Sequence, residues 1–175
     1  MAYVYNVFTQ ELDFVGPNAG LINFRGSFSD ANTQYVQSIT AGQAITMDTV
    51  ELTDGVTLEN NSEITLPNIG DYLLTFSAMV ITTNNQPQSV DIWLRKNGSG
   101  SIARSNTRQH VAKNSYNIMA VPFLVTATAQ NDYFELMMCG SSALDTGIGS
   151  IAASASNPVR PAAPSIIVTV NKITT

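Results

Sequence analysis

A chain of 175 residues can bury one substantial core without disulfide or metal staples and is too short for two full domains. Only 12% of its residues are charged while Asn, Gln, Ser and Thr make up about a third, so the surface is polar but largely uncharged, and a net charge of -5 argues against general nucleic-acid binding. A single cysteine, Cys139, excludes an intrachain disulfide framework, and no apolar run approaches the length of a membrane span, so no membrane insertion is expected.

Residues 1–32 place Tyr3, Tyr5, Phe8, Phe14, Phe24 and Phe28 among Gly, Pro and Asn, which is too aromatic for a disordered tail. They read as an N-terminal extended arm. It either covers the edge of its own subunit or anchors to another protein, with Tyr3, Tyr5, Phe8, Phe14 and Phe24 as the anchoring side chains. The opening MAYVYNVFTQEL lacks a basic region followed by an apolar run, so synthesis and folding in a cytoplasm are expected.

From residue 33 to 175 the chain reads as one β-domain. Period-two runs recur at 34–39, 44–52, 71–81, 89–96, 118–128, 132–138 and 165–173, and no segment carries the spacing of an amphipathic helix. The separators are turn chemistry, including Ala41-Gly42, Asp54-Gly55, Asn84 to Pro87, Asn97-Gly98 and Asn131-Asp132. Many short strands with regular turns indicate a sandwich or barrel. Residues 140–164 are small and Pro-bearing, a long surface loop before the last strand.

In SVDIWLRKNG (89–98), Val90, Ile92 and Leu94 alternate with Asp91, Trp93 and Arg95. The aliphatic side belongs to a core, which turns the only tryptophan outward, toward a neighbouring subunit, a covering loop or the N-terminal segment. In DYFELMM (132–138) both faces are apolar enough to bury, Tyr133, Glu135 and Met137 opposite Phe134, Leu136 and Met138. Charge is divided along the chain: residues 1–91 hold ten acidic residues and one basic, whereas 92–175 hold seven basic and three acidic. Arg95, Lys96, Arg104, Arg108 and Lys113 form a basic segment that reads either as solvated loops or as an edge meeting an acidic surface.

Strand order and three blocks carry a resemblance. Gly70, Tyr72, Phe76 and Ser77, then the Asn97-Gly98 hairpin, then Asn131-Asp132-Tyr133, followed by a final PSIIVTVNKI strand, resemble the tumour necrosis factor/complement C1q jelly rolls, and most of all the C1q-like virion proteins of bacteriophages. The resemblance spans roughly 34–173. It implies an all-β jelly-roll sandwich and a homotrimer, with Trp93, Arg95, Tyr133 and Met137 as candidate trimer contacts.

Catalytic signatures are missing: no metalloprotease, phosphate-loop, dinucleotide or zinc-type spacing occurs. Glu59 and Glu63 read as a solvated pair, and Asp54, Glu59, Asn60 and Glu63 match no calcium loop. Cys139 reads as a buried thiol and His110 as part of a polar loop. No cofactor or metal is expected. The leading expectation is a trimeric capsid decoration protein on the outer surface of a virion, made in a bacterial cytoplasm and bound to the major capsid protein. The alternative is a fibre tip that uses the basic segment and the 140–164 loop to bind a host surface glycan. An enzyme is not expected.

Overall fold

The computed structural model describes residues 2–6, 11–15 and 24–173. Strands β1 (Ala2–Asn6) and β2 (Glu11–Val15) pair antiparallel, Ala2 opposite Val15, in a two-stranded sheet of their own. Phe8 and the side chains of Tyr3, Tyr5 and Phe14 lie outside the described residues. The remaining strands are β3 (Arg25–Asp30), β4 (Gln34–Tyr35), β5 (Gln43–Ala44), β6 (Thr49–Asp54), β7 (Thr57–Glu59), β8 (Glu63–Leu66), β9 (Gly70–Thr82), β10 (Gln88–Lys96), β11 (Thr107–Val111), β12 (Ser115–Ala127), β13 (Asp132–Gly140), β14 (Thr146–Ile148) and β15 (Ile166–Ile173).

They build two antiparallel sheets. One has the order β11-β10-β13-β8-β7, with β5 also beside β13; the other runs β4-β14-β9-β15-β3-β6, with β12 along the free side of β9. The alternation of the sequence explains which side of each strand is covered. In β9, Tyr72, Leu74, Phe76, Ala78 and Val80 are fully buried, and in β15 so are Ile166, Val168 and Val170. Facing them are Val90, Ile92 and Leu94 of β10 and Phe134, Leu136 and Met138 of β13, all in one core. The Phe76 and Phe123 rings stack at 5.9 Å between centroids. This is the expected all-β sandwich.

Three expectations are corrected. The arm does not extend to residue 32, because β3 lies between β15 and β6 with Phe28 fully buried. RGSFSD holds one large apolar residue among Gly, Ser and charges, so its period of two carries little hydrophobic signal. The sandwich therefore begins at Phe24, which packs on the core beneath the Lys172 ammonium at 5.4 Å. The run 44–52 is not one strand: β5 belongs to one sheet and β6 to the other, and Ile45 and Met47 are buried where the chain crosses.

The 140–164 segment is not a plain loop either. Strand β14 inserts between β9 and β4. At Gly147 an added Cβ would collide with the Gln34 carbonyl oxygen, so only glycine permits that approach. Further on, Ile151 bridges Ala163 and Ser154 bridges Arg160, folding the segment back on itself.

Candidate functional site

Two outer surfaces concern function. The first is the solvent side of β10 and β13. Register places Asp91 opposite Cys139, Trp93 opposite Met137 and Arg95 opposite Glu135. The outward row predicted from SVDIWLRKNG is present, but its members are occupied within the subunit. Arg95 donates from Nε and Nη2 to the two Glu135 carboxylate oxygens, both at 2.8 Å, and Ser62 Oγ donates to the same carboxylate at 3.3 Å. Trp93 Nε1 donates to Ser101 Oγ at 2.8 Å, and a Cβ at Gly42 would stand 2.5 Å from the indole, so the loop before β5 lies against its benzo edge. Met137 is buried and Tyr133 half-buried, its hydroxyl against the Gly98 turn. The loop carrying Gly42 lies against Trp93.

The basic segment is largely neutralised in the same way. Arg95 pairs with Glu135, Arg108 with Asp91 at 2.9 Å, and Lys96 with Asp132 at 2.7 Å. Only Arg104 and Lys113 of the five are exposed with no ion pair among the described residues. These three pairs join β10 to β11 and β13, and only Arg108–Asp91 draws on the acidic first half of the chain. Arg104 holds a left-handed backbone, φ 66°, at the turn before β11.

Asp132 is the most constrained acid. It accepts from the Lys96 ammonium, from Asn97 Nδ2 at 2.8 Å, and from the backbone N–H groups of Thr128 at 2.7 Å and Ala129 at 3.0 Å. Burial alone would push its carboxyl up; those donors outweigh burial and hold it well below the ordinary value of 3.8. Asn97 and Gly98 both take positive φ, as a two-residue hairpin requires, and Asn97 Oδ1 accepts from the Tyr133 N–H at 2.8 Å. Two blocks far apart in sequence therefore meet as one polar knot.

The sign of its pH effect follows. Folded Asp132 stays ionised to lower pH than the unfolded chain, so its contribution is complete above about pH 4 and is lost as pH falls through the lowered folded value. Asp132→Asn is expected to be less stable at pH 7, with a flatter decline between pH 5 and pH 2. Urea melts across that range check it; parallel declines would remove the role of Asp132.

The second surface was not singled out by sequence reasoning: the solvent side of β15, β9 and β12. Its exposed apolar residues include Leu73, Ile118, Leu124, Ile167 and Ile173, with Leu124 and Ile118 at 69% and 61% exposure. Cross-strand register sets Leu73 beside Leu124 and Ser77 between Ala120 and Ile167. Across these three strands the outward positions carry one charge, Asp71, which accepts from Thr126 Oγ1 at 2.6 Å. Inward residues of these strands are also apolar, so alternation is weak there and the sequence reads as an ordinary buried strand. The signal that remained was the scarcity of charge on 118–128 and 165–173.

Glu63 accepts from Asn60 Nδ2 at 2.9 Å in the β7–β8 turn, and among the described residues no three His, Cys, Asp or Glu side chains converge. His110 lies on β11 rather than in a loop, its Nδ1 3.0 Å from Ser89 Oγ, and Cys139 is half-buried, nearest the Ile39 carbonyl at 3.5 Å. Among the described residues no helix is long and apolar enough to cross a membrane.

Solved structures identify the architecture. The globular domain of zebrafish complement 1qA superposes with a TM-score of 0.55 at 10% identity, covering 87% of this chain and 98% of that one. The fold is a C1q/TNF-like jelly roll. Murine APRIL at pH 5.0 matches with a TM-score of 0.51 at 11% identity, covering 86% of this chain and 99% of the other. No protein-family model matches the sequence, and no curated protein does. In C1q/TNF-like terms, the five-stranded run β11 to β7 and the sheet containing β3, β15, β9 and β12 are the two layers of the jelly roll.

Proposed function

We propose that the protein is a bacteriophage virion structural protein, a homotrimeric decoration protein that sits on the outer capsid surface and stabilises the head. The observation that carries the assembly is the nearly uncharged, apolar outer face of β15, β9 and β12. A monomer rarely leaves such a face in water, and three copies meeting through it about a three-fold axis bury it. The trimer contact thereby moves from Trp93, Arg95, Tyr133 and Met137, which their own subunit engages, to Leu73, Ile118, Leu124 and Ile167.

Attachment is assigned to the N-terminal arm. Strands β1 and β2 form a two-stranded sheet of their own, and such a pair is marginal in water by itself, so a partner surface is its natural support. With three arms per trimer, modest contacts to the major capsid protein add through effective concentration. The sequence resemblance to phage virion proteins supplies the setting. The second reading, a fibre tip, is favoured by one observation, a groove beside Trp93 described below.

Cosedimentation separates the two. The full chain is expected to pellet with capsids lacking it and not with host cells; host-cell binding without capsid binding would replace the decoration role with the fibre tip. Deleting residues 1–23 is expected to leave a folded trimer that no longer pellets with capsids. Retained binding would remove the arm as the anchor.

A further inference from the structure

We infer that the groove between β10, β11 and the 101–106 loop is a binding site for an acidic saccharide, one carrying uronate carboxylates. The groove encloses about 350 Å³ and is lined by Asp91, Trp93, Arg104, Asn106, Arg108 and Cys139, among others. A second depression of about 300 Å³ shares Asp91, Arg108 and Cys139 with it and continues past Ile39 toward Ser141, so together they form a track rather than a hole. Volumes of this size hold small ligands.

The polar groups are fixed before any ligand arrives. Asp91 is mostly covered and accepts from Asn106 Nδ2 at 3.0 Å and from Arg108 Nε and Nη2, each at 2.9 Å. Of the five N–H donors of a guanidinium this leaves three on Arg108, whose side chain is 60% exposed, held rigid with no further ordering cost. Trp93 is likewise fixed, by Ser101 at one end and Gly42 at the other. Arg104 is the charge left over, because no acid among the described residues pairs with it.

One carboxylate against two guanidinium groups leaves the groove positive in a protein of net charge -5. This selects an anion. Trp93 lines the groove, where an indole offers apolar, electron-rich contact to the C–H bonds of a sugar ring, and preset donors beside a carboxylate match hydroxyls. Arg104 then meets the uronate through charge-assisted hydrogen bonds. A nucleic acid is disfavoured, since two cations on a track inside an acidic protein give no continuous phosphate-binding surface. The assignment does not depend on the decoration role, although such a groove suits a fibre tip more directly.

The test uses the purified full chain and three trisaccharides: trigalacturonate, a glucuronate-containing trimer, and the carboxyl-reduced neutral form of the first. Titration calorimetry is expected to show binding of at least one acidic trimer, at least about tenfold weaker binding of the neutral form, and a loss of about tenfold in Arg104→Ala, the size of one charge-assisted contact. Trp93→Phe is expected to weaken acidic and neutral sugars alike. Lys113→Ala, outside the groove, is expected to change nothing. Arg104 is exposed, so its variant keeps the parent melting temperature and misfolding does not confuse the result. Absence of binding by both acidic trimers, equal affinity for the neutral form, or unchanged affinity in Arg104→Ala would each overturn the assignment. Capsid cosedimentation by the Arg104→Ala protein reports on the decoration role independently.

Discussion

Leu124→Asp is expected to convert the proposed trimer into a monomer of 18.8 kDa. Leu124 is 69% exposed in the single chain and lies outside the buried core cluster, so the substitution is expected to leave the fold of one subunit intact. In the proposed trimer it would bring three carboxylates into an apolar seam in which no outward position of β15, β9 or β12 carries a cation to receive them. Burying an unpaired charge costs several kcal/mol each even after relaxation, which exceeds what a seam of partly exposed aliphatic side chains returns. Sedimentation equilibrium reads the mass and circular dichroism the fold. A folded variant that remains trimeric would place the three-fold contact elsewhere, and Trp93 and Tyr133 would return as candidates. Ala112→Asp, exposed just past β11 in the other sheet, is the matching control and is expected to stay trimeric.

Arg95→Ala is expected to be the most damaging single change to folding on the β10–β13 surface. The Glu135 side chain is 4% exposed, and removal of the guanidinium leaves its carboxylate with Ser62 alone. Breaking a buried pair from one side costs about 3–5 kcal/mol, which for a domain of this length lowers the melting temperature by roughly 6–20 °C. Glu135→Leu combined with Arg95→Met is expected to recover most of the loss, because an apolar pair of similar volume carries no desolvation cost. A single variant that melts within a degree of the parent would show that water reaches Glu135 and that the pair is an ordinary surface bridge.

The sheets were legible because their strands alternate. Val90, Ile92 and Leu94 on β10 and Ile166, Val168 and Val170 on β15 carry an apolar period of two strong enough to name the buried side, and all six are buried. The turns were legible for chemical reasons: Asn97, Gly98 and Asn131 take the positive φ that Asn and Gly tolerate best. Strand β3 was not, since Phe28 is its one large apolar side chain, and TRQHV of β11 was not, since an edge strand is half in water and has little pattern to show.

The site was less legible than the fold. Sequence pattern gives the side of a strand but not which outward side chains find partners across it. Arg95, Lys96 and Arg108 looked like a free basic edge because Glu135, Asp132 and Asp91 reach them only through strand pairing and the hairpin. Arg104 differs from them only by lying on a turn with no acid opposite. The apolar outer face of β9 and β12 was hidden for the converse reason. A strand buried in its own subunit and a strand waiting for a neighbour have the same composition.

The central claim is that a trimer of this chain stabilises a capsid from outside. Its most direct test is the temperature at which heads stripped of the protein release their DNA, measured by dye fluorescence as purified trimer is added back. A saturable rise in release temperature is expected with full-length protein and none with the form lacking residues 1–23. An unchanged release temperature at saturating full-length protein would contradict it.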